Sequence, residues 1–406
     1  MENCDSGNDR ALVVGGGIGG LATALGLLKS GKKVVVLEQA AEFGEIGAGL
    51  QLGPNATRIL DSWGLLEQVT AIGVLPRNLV MRDAISGAEL GRLPFTAEFT
   101  ARFAAPYVVI HRTDLHAILL DACRAAGADL RTGVRVEHVE DGGSTVVAED
   151  GRTFSGEATI AADGLHSIHR RALVGDDLIP SGYVAYRGTI PVSAAGAADR
   201  ALDDVVVWVG PGSHLVQYRL RAGDILNQVA VFESPSFLRG ADQCGGVDEL
   251  DAAFAGCHPR VREAIAHIGK QRRWPLYDRL PAQNWATERL VLTGDAAHPM
   301  LQYLAQGCCQ ALEDAKTLEL LVAETPQATD WPAVIQRFTR ARIPRTAEVQ
   351  TKARLFGELC HARGMHRLLR NELLAKLDTG DLLDYADWLY RGPVFDLMRH
   401  TSRAVA

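Results

Sequence analysis

Three glycines at positions 15, 17 and 20, with a carboxylate at position 38, form the spacing in this chain whose chemical meaning is plainest. Gly15, Gly17 and Gly20 complete Gly-x-Gly-x-x-Gly within GGGIGG. That pattern permits a tight turn, close approach of backbone to a pyrophosphate, and close packing of a helix on a strand. Free N–H groups at the start of the helix then face the phosphates with a partial positive charge. Glu38 lies about 20 residues on, where a carboxylate can accept both hydroxyls of an adenosine ribose. Asp163-Gly164 and Gly294-Asp295 each follow a short apolar run, so they place further acids at strand ends. His214 and Tyr218 stand in GSHLVQYRL, and side chains of a strand alternate, which puts both on one face and Gln217 on the other. His214 and Tyr218 can therefore converge on one ligand. A histidine with an ordinary pKa of about 6.5 takes a proton near neutral pH, and Tyr218 can relay it.

The elements that must position these residues are legible in the same way. An apolar strand over 11–14 meets the glycine turn, a helix runs to Ser30, and KVVVL ends just before Glu38. A glycine-rich loop, GEIGAGLQLGPN, precedes a helix carrying Ile59, Leu60, Trp63 and Leu65 at helical spacing. Strands near 79–82 and 107–110 precede a helix over 113–126, N-capped by Thr113 with Asp114 in its first turn. Alternation over 134–160 predicts a hairpin turning at Asp141-Gly142-Gly143, and 159–162 returns to a nucleotide-type strand. Between 182 and 233, VAYRGTIPV, DVVVWVG, HLVQYRL and LNQVAVF read as strands of an inserted antiparallel sheet. Helices follow around 247–254 and 260–268, a strand over 290–295, and long packed helices over 331–374. The expected fold class is α/β. It combines a Rossmann-like dinucleotide domain (1–75, 105–180 and 285–330), an inserted, mainly antiparallel substrate domain (76–104 and 181–284) and a helical C-terminal region (331–406).

A chain of 406 residues is long enough for two or three domains, or one composite with a continuous core. Its net charge of −7, without a basic tract, argues against nucleic acid as a partner. The first ten residues carry no apolar run, and no apolar run elsewhere is long enough to span a bilayer, so a cytoplasmic location is expected. Seven scattered cysteines, without a Cys-x-x-Cys pair or a zinc-type spacing, predict free thiols and no metal. The neighbouring Cys308 and Cys309 fit buried packing on a helix better than redox chemistry.

GGGIGG with Glu38, ADGLHSIHR (162–170) and TGDAAHP (293–299) together resemble the three signatures of the FAD-dependent aromatic hydroxylases, single-component flavoprotein monooxygenases typified by para-hydroxybenzoate hydroxylase. The resemblance implies that Gly15, Gly17 and Gly20 hold the FAD pyrophosphate and Glu38 the adenosine ribose. It assigns the ribityl chain to Gly294-Asp295 and the flavin's linker to Arg112, in HRTDL. Asp163 would bridge the phosphate side and the approach of NAD(P)H, and the helix beginning at Gly307 would point its positive end at the flavin. NADH or NADPH is then a transient co-substrate without a glycine fingerprint of its own, with molecular oxygen and a small aromatic molecule as the other reactants. A lean towards NADH and a homodimer also follows by resemblance.

Within that family, the likeness to the branch that converts 3-hydroxybenzoate to gentisate runs through GEIGAGLQLGPNATRILDSWG, PYVVIHRTDLHAILLDA, SGYVAYRG, LNQVAVFESP, WPLYDR and RNELL. It implies hydroxylation para to a phenolic hydroxyl, with His214, Tyr218 and Gln302 around the ring and Tyr107 as a further neighbour. Branches acting on salicylate, 6-hydroxynicotinate or a larger phenol share the frame, and a non-catalytic flavin-binding redox sensor would share the cofactor site. Arg219, where a proline is common, and the polar, thiol-rich stretch 306–309 depart from the pattern and leave the ring preference open.

Overall fold

Residues Arg10–Val14 are buried at every position, as a strand covered on both faces requires. In the computed structural model, which describes residues 4–5, 9–44, 47–324, 329–392 and 394, they form the middle of a five-stranded parallel sheet. Most of the first ten residues, Glu45 and Ile46 of the glycine-rich loop, and 395–406 of the expected C-terminal region lie outside the described residues. The strand order is Leu290–Leu292, Ala158–Ala161, Arg10–Val14, Lys33–Leu37, Asp129–Arg131. Helices Ile18–Lys29 and Gly307–Ala323 pack together beside this sheet, and their backbones approach closely at Gly26. A Cβ there would lie 2.9 Å from the Ala315 carbonyl oxygen. The fold is α/β, and no helix among the described residues is long and apolar enough to cross a membrane.

A second sheet of seven strands runs Arg273–Asp278, Ile179–Pro191, Ile225–Glu233, Ser213–Leu220, Val205–Gly210, Asn78–Asp83, Glu89–Pro94. Every pairing is antiparallel except that of Val205–Gly210 with Asn78–Asp83. One face packs Tyr186, Trp208, Leu215 and Phe232 against helices Val247–Phe254 and Pro259–His267. Alternation turns the other face, with His214, Val216 and Tyr218, towards a cavity.

Local boundaries differ from the sequence reading for identifiable reasons. Helix Arg112–Ala125 is capped by His111, whose ring nitrogen Nδ1 accepts from the Thr113 N–H at 3.3 Å, so Thr113 lies inside the first turn. The stretch 134–160 holds the hairpin Val136–Glu140 and Thr145–Ala148, then Thr153–Ser155 in the same small sheet, before Ala158–Ala161 joins the parallel one. Strand Leu290–Leu292 ends before a single 3-10 turn, Gly294–Ala296. The C-terminal helices are Trp331–Cys360, Gly364–Leu374 and Thr379–Tyr390.

Candidate active site

The glycine turn has the geometry its spacing predicts. Gly15 has φ +106°, and a Cβ on it would lie 2.4 Å from the Ala162 carbonyl oxygen, while one on Gly20 would lie 1.9 Å from the Gly15 carbonyl oxygen. Gly17 caps helix Ile18–Lys29 with no side-chain hydrogen bond, which leaves the first N–H groups of the helix for a ligand. Glu38 is fixed at its strand end by accepting from the Gly16 N–H at 2.7 Å and the Ala40 N–H at 2.8 Å. Asp163 Oδ2 lies 2.8 Å from His169 Nδ1 and accepts from the Ile168 N–H, while its Oδ1 is buried with no partner among the described residues. Burial pushes the Asp163 pKa up, but His169 outweighs it and keeps the carboxyl below its ordinary value. Asp295 Oδ1 lies 3.8 Å from where a Cβ on Gly307 would stand, so the third signature and the start of helix Gly307–Ala323 meet. Gly15, Gly17, Glu38, Arg112, Asp163, Gly294, Asp295 and Gly307 all line one cavity of about 1080 Å³. Gly20 does not line it, because it packs against Gly15. A glycine cradle, an open helix end, an orphaned carboxylate oxygen and acids at three strand ends fit a long dinucleotide.

A buried ionic network, absent from the sequence reading, holds the far end of this cradle. Asp314 accepts from the Gly294 N–H at 2.9 Å, lies 2.6 Å from His298 Nε2, and accepts from Arg342 Nε at 2.7 Å. Glu313 accepts from Arg342 Nη1 at 2.6 Å and from Asn55 Nδ2 at 2.7 Å, and Asn55 also donates to Gln306 Oε1 at 2.9 Å. Burial pushes the Glu313 pKa up, but Arg345 and Arg342 outweigh it and leave it at about 2.

The other end of the cavity collects the residues read as facing a ligand. His214, Tyr218, Gln302 and Tyr107 all line it, whereas Gln217 turns away to accept from Trp208 Nε1 and donate to Asp199. Tyr107 donates to Gln51 Oε1 at 2.7 Å, and Tyr218 also meets Gln51, so a residue the sequence did not single out joins the two tyrosines. Burial pushes the Tyr218 pKa up, against smaller opposing effects of Arg187 and Gln51. His214 Nδ1 lies 2.8 Å from Nε2 of His361, just beyond the end of helix Trp331–Cys360. Burial pushes the His214 pKa down to about 3. The expectation that this histidine titrates near neutrality is therefore corrected: desolvation keeps it uncharged.

Gln302 Oε1 accepts from Arg187 Nη2, and its own Nε2 is buried without a partner among the described residues. Arg187 lies within SGYVAYRG, but only strand register reveals that it shares a face with His214. Arg219 points to the opposite face, where it bonds the Gly223 carbonyl and Asp203, so this departure from the family pattern does not touch the cavity. Cys309 is buried and its thiol pKa is pushed up by burial, as expected of packing rather than redox chemistry. Helix Thr379–Tyr390 closes the apolar side with Leu382, Tyr385, Ala386 and Leu389.

A parallel sheet with a glycine cradle, joined through one cavity to an antiparallel wall, defines a flavin-binding oxidoreductase fold. The FAD binding domain family matches residues 9–202. The chain is 40% identical over 388 residues to 3-hydroxybenzoate 6-hydroxylase of Polaromonas naphthalenivorans (strain CJ2), covering 93% of this chain and 95% of that protein. It is 38% identical to the protein of the same name from Klebsiella oxytoca, covering 94% and 96%. Klebsiella pneumoniae HpxO complexed with FAD and uric acid superimposes with a TM-score of 0.84 at 27% identity, covering 96% of this chain and 98% of that one. The chain belongs to the FAD-dependent aromatic hydroxylases, and FAD is its cofactor.

Proposed function

We propose that this chain hydroxylates 3-hydroxybenzoate para to its hydroxyl, using one O2 and one NAD(P)H with a proton to give gentisate, water and NAD(P)⁺. One observation carries the reading: His214 and Tyr218 on one sheet face, with Gln302 lining the same cavity, which is continuous with the cofactor cradle. Relatives of nearly equal length that bear this activity's name support it. FAD, when bound, takes electrons from NAD(P)H and activates oxygen. Gly15, Gly17 and Gly20 with the helix end would hold its pyrophosphate, Glu38 its ribose, and Arg112, Asp163, Gly294-Asp295 and Gly307 the remainder. The discontinuous domains, 1–75, 105–180 and 285–330 against 76–104 and 181–284, follow the same division between cofactor and substrate.

The protein's own residues then make the ring electron-rich. Neutral His214 offers a ring nitrogen to the phenolic hydroxyl, and His361 fixes its orientation through the other. Tyr218 adds a hydroxyl tied to Gln51, and Tyr107 braces that amide. With its pKa held low by burial, His214 accepts a hydrogen bond from the phenol rather than its proton, and a hydrogen bond to a group gaining negative charge is typically worth about 10- to 100-fold. The apolar lining limits water at the site, where it would let activated oxygen leave as hydrogen peroxide instead of entering the product.

A second reading, a larger phenolic substrate, is favoured by the cavity's extension along Leu374, Leu377, Leu382 and Tyr385. NADH as the preferred donor and a cytoplasmic homodimer complete the proposal. The six cysteines that are free among the described residues suit a reducing compartment, and exposed Leu355, Met365, Leu368, Leu369 and Leu373 offer apolar surface for a second copy.

The purified yellow protein is to be given NADH or NADPH with a panel of hydroxybenzoates and larger phenols, and the products separated. Stimulated NAD(P)H use with gentisate from 3-hydroxybenzoate is expected. Stimulation by another phenol alone reassigns the substrate. FAD binding without turnover of any ligand points to a redox sensor.

A further inference from the structure

Arg187 is a cation that the fold carries into the cavity without a carboxylate partner among the described residues. It lies on strand Ile179–Pro191, opposite Val229, which in turn lies opposite Val216. Met81, Val207, Val216, Val229 and Arg187 therefore form one rank across the sheet, and all five line the cavity. The rank falls midway between His214 and Tyr218 along their strand. Neighbouring strands lie about 4.8 Å apart, so Arg187 is rooted roughly 10 Å from Val216, a distance that a substituted benzene ring and an arginine side chain together span.

Among the described residues, the hydrogen-bond and ring contacts of Arg187 are with uncharged groups, and its pKa is lowered by burial and by the like charge of Arg112. Nη2 donates to Gln302 Oε1, the guanidinium lies 6.0 Å from the centre of the Trp274 ring, and Nε is buried with no partner among the described residues. Because Gln302 spends its oxygen on Arg187, its amide Nε2 is the atom left over, and that too is buried and unpartnered. The pair thus presents N–H donors and no acceptor. Burying a guanidinium without a carboxylate is costly, and donors left unmade are costly as well, unless an anion completes the set.

We propose that Arg187, together with the Gln302 amide it orients, binds the carboxylate of the aromatic substrate and makes the site selective for an acid over a neutral phenol. The assignment rests on the reading of the substrate as a hydroxybenzoate. His214 and Tyr218 then hold the phenolic end while Arg187 and Gln302 hold the acid end, which fixes the ring carbon that faces the flavin.

The test compares 3-hydroxybenzoate with 3-hydroxybenzamide, its uncharged analogue, by flavin absorbance titration and by kcat and KM. For the unaltered enzyme the acid should be preferred by at least about 10- to 100-fold, the range that charge-assisted hydrogen bonds typically supply. In Arg187→Gln, KM and the dissociation constant for the acid should rise by that factor, those for the amide should change little, and FAD content should be unaltered. Arg187→Lys should recover part of the acid preference. Equal losses for acid and amide, or unchanged acid binding, overturn the assignment while leaving the hydroxylase reading intact. If the unaltered enzyme turns over a different aromatic acid, the same comparison is run with that acid and its amide, and the substrate reading alone fails. A preference of the unaltered enzyme for neutral phenols overturns both.

Discussion

At the scale of single residues, the pair His214 and His361 is where burial sets the chemistry. Both rings are buried and their pKa values are pushed down: His214 to about 3 by desolvation, His361 by desolvation with smaller contributions from His214, Arg363 and Arg370. Tyr303 packs against both rings, and Tyr183 stacks on His361, without supplying a carboxylate. His214→Ala should lower the rate of hydroxylation by about 10- to 100-fold, the worth of a hydrogen bond to a phenolic oxygen gaining charge, while the protein still purifies yellow. Unchanged coupling of NADH use to product would remove His214 from the reaction. Stability gives an independent readout. The unfolded chain protonates this histidine below pH 6.5, whereas the folded chain resists until about pH 3. Stability is thus fully present above pH 6.5 and is lost as pH falls towards 3, by up to about 1.4 kcal/mol per pH unit. Urea midpoints of His214→Asn should fall less steeply between pH 6.5 and 5 than those of the unaltered chain, and parallel slopes would contradict the assigned burial cost.

At the scale of elements, helix Gly307–Ala323 and helix Trp331–Cys360 are joined by charge as well as by packing. Arg342, buried on the second, meets Glu313 and Asp314 on the first, and Asp314 reaches on to the N–H of Gly294. The turn bearing Asp295 and the helix start at Gly307 are therefore held by a side chain from the C-terminal region. Arg342→Met leaves two buried carboxylates short of their cation, a loss of roughly 3–5 kcal/mol. Urea unfolding should show that loss, FAD should dissociate more readily, and adding Glu313→Gln and Asp314→Asn should restore part of the stability. A single variant as stable as the parent would mean the network contributes no net stability. None of this network was legible in the sequence, because charged residues on a helical pattern read equally well as a solvated face. The glycine turn, the strands and the inserted sheet were legible because their signals are local: glycine spacing, apolar runs and alternation. Thr113 was misplaced as a cap because His111, one turn boundary earlier, supplies an acceptor that cap statistics do not anticipate.

At the scale of the whole molecule, the site is made where distant parts of the chain meet, and that is where sequence reading stops. Alternation put His214 and Tyr218 on one face, but Arg187 joins them through strand register, Gln51 through a loop strand, and His361 from beyond a helix end. The last wall of the cavity, helix Thr379–Tyr390, is clamped at its carboxyl end by Arg58 and Arg345, which donate to the carbonyls of Tyr390 and Leu389 at 2.6 Å. On its outer side, Arg102 donates to Asp384 at 2.6 Å and to both oxygens of Asp387 at 2.7 and 2.8 Å. These outer pairs are partly exposed, so their loss should cost no more than about 1 kcal/mol of global stability. The same loss frees the helix that carries Leu382, Tyr385 and Ala386 against the cavity, and water then reaches the site. Arg102→Gln should therefore leave FAD content and the melting temperature nearly unchanged while raising, severalfold, the fraction of NAD(P)H oxidised that appears as hydrogen peroxide instead of hydroxylated product. High salt should push the unaltered enzyme in the same direction, since exposed ion pairs are screened. Measuring peroxide and product per NAD(P)H decides the matter: a coupling ratio indifferent to both the substitution and salt would show that this helix seals the cavity without help from its charged clamp.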